Sequence, residues 1–584
     1  MTYESRIRQL LQMLYGEDQA RETWQELSHI LREFRRQKTG FPAQEAPLSE
    51  KDALLITYGD TFHMPGVPPL RTLAAFIDKH LQNAITGIHI LPFFPNSSDD
   101  GFSVIDYRAV DPKLGSWADI TALGEGYRLM FDGVINHVSS QSAWFQAYLR
   151  DEPPYRDYFI TADPDWDLSS VVRPRTLPLL TQVQTADGPR SVWTTFSADQ
   201  IDLNYANPQV LLEMISLLLF YVERGMDILR LDAIAYLWKE PGTACIHLYQ
   251  THAVIKIIRL VFDAVAPHVM LISETNVPHE DNISYFGDLI PGTNRTDEAQ
   301  LVYQFPLAPL ILHTLATGDA SRLSQWAATL ESKGLFFNFI ASHDGIGVTP
   351  ARGLLTESQI QALVERCLAH GGRVSYKSNP DGTQIPYELN ITLYDALNDP
   401  SRPDAELDFA RFMASQVIML SLAGVPGIYI HSLFGSRNCQ GCVEKTGQAR
   451  SINREKFDYR QLDARLAQPE SREGRILNEY HRLLTIRRKQ PAFHPFATQR
   501  AVTIVPEVFS IVRTSLDGGQ TILSLVNASG SARGIRLDTR TLEIPSSQGW
   551  LDLLSGTSYP PDVTGFEIDL RPYQPCWLTP RQQF

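Results

Sequence analysis

At 584 residues the chain is longer than a single compact core usually grows, so one large domain with insertions and at least one smaller module is expected. Hydrophobic residues at 43% and charged residues at 20% describe an ordinary globular protein, and a formal net charge of -14 argues against a nucleic-acid surface. No run approaches the roughly 18 apolar residues that span a bilayer, and Met1 to Asp18 carries charges throughout with no signal-peptide core, so a cytoplasmic protein without membrane partners is expected.

Residues 1–50 read as an N-terminal helical extension, with Ile7, Leu10, Leu11 and Leu14 at helical spacing and a charged stretch, Arg32 to Lys38, leading to a break at Gly40-Phe41-Pro42. From Leu54 the pattern turns to short apolar runs of strand length: 54–58, 87–92, 129–136, 228–233, 269–274, 336–342 and 427–430. Between them lie amphipathic helical stretches, such as Leu211, Leu212, Ile215, Leu218, Leu219 and Val222. Strand and helix in alternation predict a parallel β/α architecture. Seven visible strands, with a further one in the 300–306 region, predict an α/β fold of the (β/α)8 TIM-barrel type.

Two intervals exceed plain connections and are taken as insertions: a domain at 138–205, and a loop region at 345–400 that includes the Pro- and Gly-marked stretch 377–386. The barrel is thereby divided into 51–137, 206–344 and 401–490. Residues 491–584 read as a small all-β domain, with strands at 502–512, 521–526 and 566–569. Five cysteines do not form a disulfide scaffold. Cys439 and Cys442 have metal or redox spacing without a second pair or a nearby histidine, and are expected to be free thiols in a loop.

Polar residues close four of the strand candidates: His137, Asp232, Glu274, and His343 with Asp344. The C-terminal ends of barrel strands are where such folds place their chemistry. Arg230 lies two residues before Asp232, on the same face of a strand, and is expected to keep that carboxylate ionised. A buried structural ion pair is the competing reading of these two residues, helix capping that of the strand-end set. Converging carboxylates suit glycosyl transfer, one attacking and another donating and then accepting a proton. The rival, a divalent metal held by His and carboxylates, lacks close-set ligand pairs such as His-x-His, and no metal is expected.

Asp132-Gly-Val-Ile-Asn-His137, Leu229-Arg-Leu-Asp-Ala233, the run ending in Glu274, and Ser342-His-Asp344 resemble the four signature regions of the α-amylase superfamily, glycoside hydrolase family 13. The resemblance implies Asp232 as nucleophile, Glu274 as general acid/base and Asp344 as the residue stabilising the transition state, with His137, Arg230 and His343 around the glucosyl ring. His89 to Phe94, Asp99-Asp-Gly-Phe102, Val110 to Trp117, Ser342 to Gly347 and Arg450-Ser-Ile-Asn-Arg454 resemble the sucrose phosphorylase subfamily more closely. That likeness implies Asp99 and Arg450 on the glucosyl hydroxyls and Phe102 beside the ring.

The second insertion departs from sucrose phosphorylases, because Glu388 and not glutamine follows Tyr387. That insertion, the extra N-terminal helices and Trp238 to Thr243 look like glucosylglycerate phosphorylases. The likeness implies reversible phosphorolysis of 2-O-α-D-glucosyl-D-glycerate, with phosphate as a substrate and no cofactor. Arg173, Arg175, Tyr236, Lys377, Tyr387, Glu388 and Asn390 are the expected acceptor and phosphate residues, the cations offering charge-assisted hydrogen bonds to an anion. The competing functions are phosphorolysis of sucrose, its 6-phosphate or glucosylglycerol, hydrolysis or transglucosylation of α-glucosides, and a non-catalytic amylase-like scaffold.

Overall fold

A computed structural model of the chain describes residues 2–37, 48–293, 295–330, 333–378, 382–544, 549–560 and 565–581. The expected break at Gly40-Phe41-Pro42 and the centre of the second insertion, Asn379 to Asp381, lie outside the described residues.

Two helices open the chain, α1 (Tyr3–Tyr15) and α2 (Glu17–Gln37). The Thr2 side chain caps α1 by accepting from the Ser5 amide, and Gly16, at a φ of 77°, lets the chain turn into α2. On α2 the acids Glu17 and Asp18 lie in the first turn and Arg35 and Arg36 in the last, complementing the helix dipole. Its buried stripe, Ala20, Trp24, Leu27, Leu31 and Phe34, packs toward the helix Pro208–Glu223 of the barrel's outer ring.

Eight parallel strands close a barrel: β1 (Leu54–Thr57), β2 (Gly87–Ile90), β3 (Arg128–Gly133), β4 (Met226–Leu231), β5 (Met270–Ser273), β6 (Leu301–Tyr303), β7 (Leu335–Asn338) and β8 (Val425–Tyr429). Each strand pairs with its sequence neighbours, and β8 closes the ring onto β1. The strands are apolar almost throughout because both faces are covered, by barrel filling on one side and helices on the other. Register does the positioning. Asp132 on β3 stands level with Arg230 on β4, and Arg230 with Ile272 on β5.

The hydrogen-bonded ladder stops sooner than the apolar pattern suggests, at Gly133 on β3 and Asn338 on β7. Beyond Gly133 the chain moves into the first insertion, where His137–Ser139 pairs antiparallel with Gln200–Asp202. The apolar residues that continue the runs, such as Ile135 and Ile340, stay buried as walls without being strand. The second insertion holds more regular structure than a loop: a helix, Glu357–Ala369, and an antiparallel sheet with Gln384–Asn390 between Ile346–Gly347 and Arg373–Ser378.

The C-terminal part forms a six-stranded antiparallel sheet and a two-stranded one. The strand expected at 502–512 is two strands, Thr498–Ala501 and Val508–Thr514. Pro506 lies between them, and a residue without an N–H does not extend a ladder. Cys439 and Cys442 are joined by a disulfide at the start of the helix Gln440–Thr446, correcting the expectation of free thiols, while Cys245, Cys367 and Cys576 are buried and unbonded. Among the described residues no helix is long and apolar enough to cross a membrane.

Candidate active site

The C-terminal ends of β3, β4, β5 and β7 converge on one open cleft lined by carboxylates, arginines and aromatic rings. Asp232 and Glu274 each lie one residue past their strand, and their amides continue the ladder, Asp232 N donating to Gly133 O (3.2 Å) and Glu274 N to Leu231 O (3.1 Å). Ala233 then takes a left-handed conformation, φ 47°, which a non-glycine residue adopts at a cost. That turn aims its N–H at Glu274, whose Oε2 accepts at 2.9 Å.

Beneath the two carboxylates lies Arg230, 1% exposed. Its Nη1 donates to Asp132 Oδ1 and to Asp232 Oδ1, the latter at 2.8 Å, while Nη2 stands 3.7 Å from Glu274 Oε2. Asp132 also bonds His89 Nε2 at 2.7 Å. Across the cleft, Asp344 Oδ1 is 2.8 Å from Arg450 Nη1 and 3.9 Å from Arg454 Nη2. Gly345 follows with φ 102°, and a Cβ there would come within 2.4 Å of the Leu389 carbonyl oxygen. Only glycine lets the Asp344 turn lie so close on the strand Gln384–Asn390.

The glucosyl side is framed by Phe102 and His343, stacked 4.9 Å apart and 5° from parallel. His137 Nε2 donates to the Phe102 carbonyl at 2.8 Å, and Gln200 Nε2 reaches the same oxygen at 3.1 Å. Asp99 Oδ1 stands 4.0 Å from both Arg450 and Arg454, and Asp100 pairs with Arg454 at 2.5 Å.

These neighbours divide the carboxyls into two groups. Burial disfavours the charge of Asp344, but the guanidinium groups of Arg450, Arg454 and Arg230 outweigh it and hold the group well below the usual carboxylate range. Asp132 is buried too, and Arg230 with His89 brings it below its ordinary value. Burial pushes Asp232 well up; Arg230 opposes this, while the charges of Glu274, Asp132 and Asp344 add to it. Burial likewise raises Glu274, again against Arg230 and with Asp344. Arg230 contacts Asp232 and favours its charged form as expected, but it is shared with Asp132, and burial works against it. Asp232 and Glu274 titrate as one pair. Within it Asp232 keeps the direct guanidinium contact at 2.8 Å against 3.7 Å for Glu274, a geometry that favours the anion on Asp232 and the proton on Glu274. Burial lowers His343 well below its ordinary value and lowers His137 as well, which leaves both rings neutral at pH 7.

Of the expected residues, Asp99, Phe102, His137, Arg230, Asp232, Glu274, His343, Asp344 and Arg450 line this one cleft, as do Arg175, Tyr236, Tyr387 and Glu388. Arg173, Lys377 and Asn390 do not. Lys377 is half-buried near Arg352, where burial and that like charge lower its pKa. Asn390 is fully buried and braces the cleft from behind, its Nδ2 donating to the Asp344 carbonyl (3.1 Å) and its Oδ1 accepting from Ser375 Oγ (2.7 Å). The cleft also takes Phe196, Gln200, Thr275, Asn276 and Val277, which the sequence reading missed. Asn276 was within reach, as a polar residue two places beyond Glu274. Phe196 and Gln200 come from the far arm of the first insertion, and only the antiparallel pairing of Gln200 with Ser139 brings them in. Lys239 was missed as well, a buried cation on Asp202 (2.6 Å) and Asn136 (2.7 Å) that ties the insertion to the loop carrying His137. Among the described residues no group of three or more His, Cys, Asp or Glu side chains is arranged to hold a metal ion.

Residues 79–345 match the family model described as the alpha-amylase catalytic domain. A glucosylglycerate phosphorylase from Allomeiothermus silvanus is 52% identical over 546 residues, covering 92% of this chain and 93% of that protein. A second protein of that description, from Spirochaeta thermophila, is 47% identical over 587 residues, covering 98% of both. The crystal structure of sucrose 6F-phosphate phosphorylase from Thermoanaerobacter thermosaccharolyticum superposes with a TM-score of 0.71 at 24% identity, covering 84% of this chain and 96% of that one.

Proposed function

The chain belongs to the α-amylase family, glycoside hydrolase family 13, alongside the glucosylglycerate phosphorylases, and we propose that it is a retaining α-glucoside phosphorylase acting on 2-O-α-D-glucosyl-D-glycerate. The reaction is reversible: the glucoside and inorganic phosphate give α-D-glucose 1-phosphate and D-glycerate. The observation that carries this reading is the meeting of Asp232, Glu274 and Asp344 in one cleft with a cation to spare for an anionic acceptor.

In the first half-reaction the Asp232 carboxylate attacks the anomeric carbon while Glu274 passes its proton to the departing glycerate oxygen. A β-glucosyl ester on Asp232 results. Phosphate then attacks from the α face, Glu274 takes its proton back, and the ester bond to Asp232 breaks. Asp344, held ionised by Arg450, faces the positive charge that develops on the ring in both steps. The two carboxyl groups and the substrates carry every proton and bond, so the scheme calls for no cofactor. The charged sugar phosphate it makes fits the cytoplasmic location proposed here.

Phosphate and glycerate are both anions, and the same cation can serve each. Arg175 lines the cleft near Tyr236 and Tyr387, and among the described residues it has no ion-pair partner. Arg230 and Arg450 are each already engaged by at least two carboxylates. Arg175→Ala is expected to raise the KM for phosphate and for glycerate by roughly tenfold to a hundredfold, the value of a charge-assisted hydrogen bond, with kcat at saturating phosphate affected far less. Steady-state kinetics in both directions measure this.

The substrate assignment is tested with α-D-glucose 1-phosphate and a panel of glycerate, fructose, fructose 6-phosphate, glycerol and water. Glycerate is expected to be the fastest acceptor by at least about tenfold in kcat/KM, a discrimination of ~1.4 kcal/mol. Faster transfer to fructose or its phosphate would replace glycerate in the assignment, and phosphate-independent release of glucose as the main reaction would replace phosphorolysis by hydrolysis.

A further inference from the structure

Glu388 was expected to face the acceptor, and its surroundings point elsewhere. It is 2% exposed and lies on the central strand of the second insertion's sheet, paired with Gly347 on one side and Ser375 on the other. The pairing with Arg373–Ser378 slips there: Ser375 opposes Glu388 but Tyr376 opposes Pro386, which leaves Tyr387 as the extra residue of a bulge. In a regular strand Tyr387 and Glu388 would point to opposite faces. The bulge re-aims them, and both line the cleft.

The carboxylate of Glu388 is taken up by Arg450. Nη2 donates to both oxygens, at 2.7 and 2.8 Å, and Nε to one of them at 3.2 Å. The opposite edge of the same guanidinium, Nη1, holds Asp344 at 2.8 Å. Arg450 is thus clamped between two acids, one on the turn after β7 and one on the strand Gln384–Asn390. We infer that Glu388 is a positioning residue for the transition-state carboxylate, acting on Asp344 through Arg450, and not an acceptor ligand. The inference deepens the proposed function and rests on it for Asp344's role.

Two physical effects follow. The clamp fixes a guanidinium that would otherwise swing about a long side chain, and Asp344 is fixed with it. It also preserves the field. An uncompensated arginine 2.8 Å from Asp344 would cancel the negative charge that the developing glucosyl cation is meant to feel; Glu388 neutralises the arginine, so the charge of Asp344 acts on the sugar. With Arg450 doubly engaged, an anionic acceptor is left to Arg175.

The test is a double-mutant cycle of Glu388→Gln and Arg450→Gln, read by two measurements that involve no glycerate: affinity for the cationic glucose mimic 1-deoxynojirimycin, and arsenolysis of glucose 1-phosphate with arsenate saturating. Glu388→Gln is expected to weaken iminosugar binding and lower the arsenolysis kcat by about tenfold each, with the KM for glycerate within about twofold of wild type. The double variant is expected to be no worse than Arg450→Gln alone. Independent, multiplying losses would overturn the inference, because Glu388 would then not act through Arg450. So would intact iminosugar binding with a raised glycerate KM, the signature of an acceptor ligand. Glu388→Asp keeps the charge on a shorter arm and is expected to recover part of the loss; it replaces the amide variant if circular dichroism shows the latter unfolded. A wild type that ignores glycerate would remove the substrate assignment, while the iminosugar cycle would still decide the role of Glu388.

Discussion

Asp232→Ala is expected to lower kcat by ~10⁴-fold or more, a loss of ~5 kcal/mol in barrier lowering, in both the phosphorolytic and the synthetic direction. In the proposed scheme both directions pass through an ester on this one side chain, and the other cleft carboxylates are engaged elsewhere: Glu274 is tied to the Ala233 amide and Asp344 to Arg450. The loss is not one of folding. Arg230 keeps its contact with Asp132 in the variant, so no buried cation is orphaned, and the Asp232 side chain is 10% exposed at the cleft wall. Two further results are expected. Mass spectrometry of quenched turnover mixtures finds a glucosyl adduct on the wild-type peptide containing Asp232 and none on the variant. Azide, small enough for the vacated space, rescues the variant with α-glucosyl fluoride as donor and yields the β-azide, since it attacks from the face that Asp232 occupied. Turnover of the alanine variant near the wild-type rate would sink the double displacement.

How much of this was legible in the chain depends on which structural level placed each residue. Asp232, Glu274 and Asp344 could be read because a parallel barrel puts every strand's C-terminal end on one face, so a run of apolar residues closed by an acid already states an address. The barrel's strand count followed from the same runs, each buried on both faces. The insertions obey no such rule. Lys377 and Glu388 belong to one pair of neighbouring strands, yet one lies near Arg352 and the other on Arg450, and the bulge at Tyr387 decides this. A period-of-two reading cannot see an extra residue in one strand. Asn390 carried the right chemistry for a ligand, but its side chain points behind the cleft to the Asp344 carbonyl. Gln200 could not be found from its own neighbours, since its place comes from pairing across sixty residues of insertion with Ser139. Arg230 was read as the partner of one acid because Asp132 is adjacent in the barrel and distant in the sequence. That missing neighbour also changes the electrostatics, from an aspartate held ionised by its own arginine to a pair of carboxyls sharing a proton.

Glu274→Gln should separate the two duties of that pair. With the natural glucoside as donor, kcat/KM is expected to fall by about 10²–10⁴-fold, the usual contribution of a general acid, because the glycerate oxygen must leave without a proton. With α-glucosyl fluoride, whose leaving group needs none, formation of the glucosyl enzyme is expected to proceed at close to the wild-type rate. The pH profile supplies the sharper result. In the proposed scheme, donor cleavage requires Asp232 ionised and Glu274 protonated, so kcat/KM is expected to rise as the first proton leaves the pair and to fall as the second leaves. Burial and the charge of Asp344 raise Glu274, which moves the alkaline limb above the ordinary glutamate range. A glutamine is neutral, as the protonated acid is, so in the variant Asp232 loses its proton in the same surroundings as in the first wild-type step. The acid limb is therefore expected to stay in place while the alkaline limb disappears. An alkaline limb that survives unchanged in Glu274→Gln with the natural glucoside would assign the second titration to another group and remove Glu274 from the role of acid.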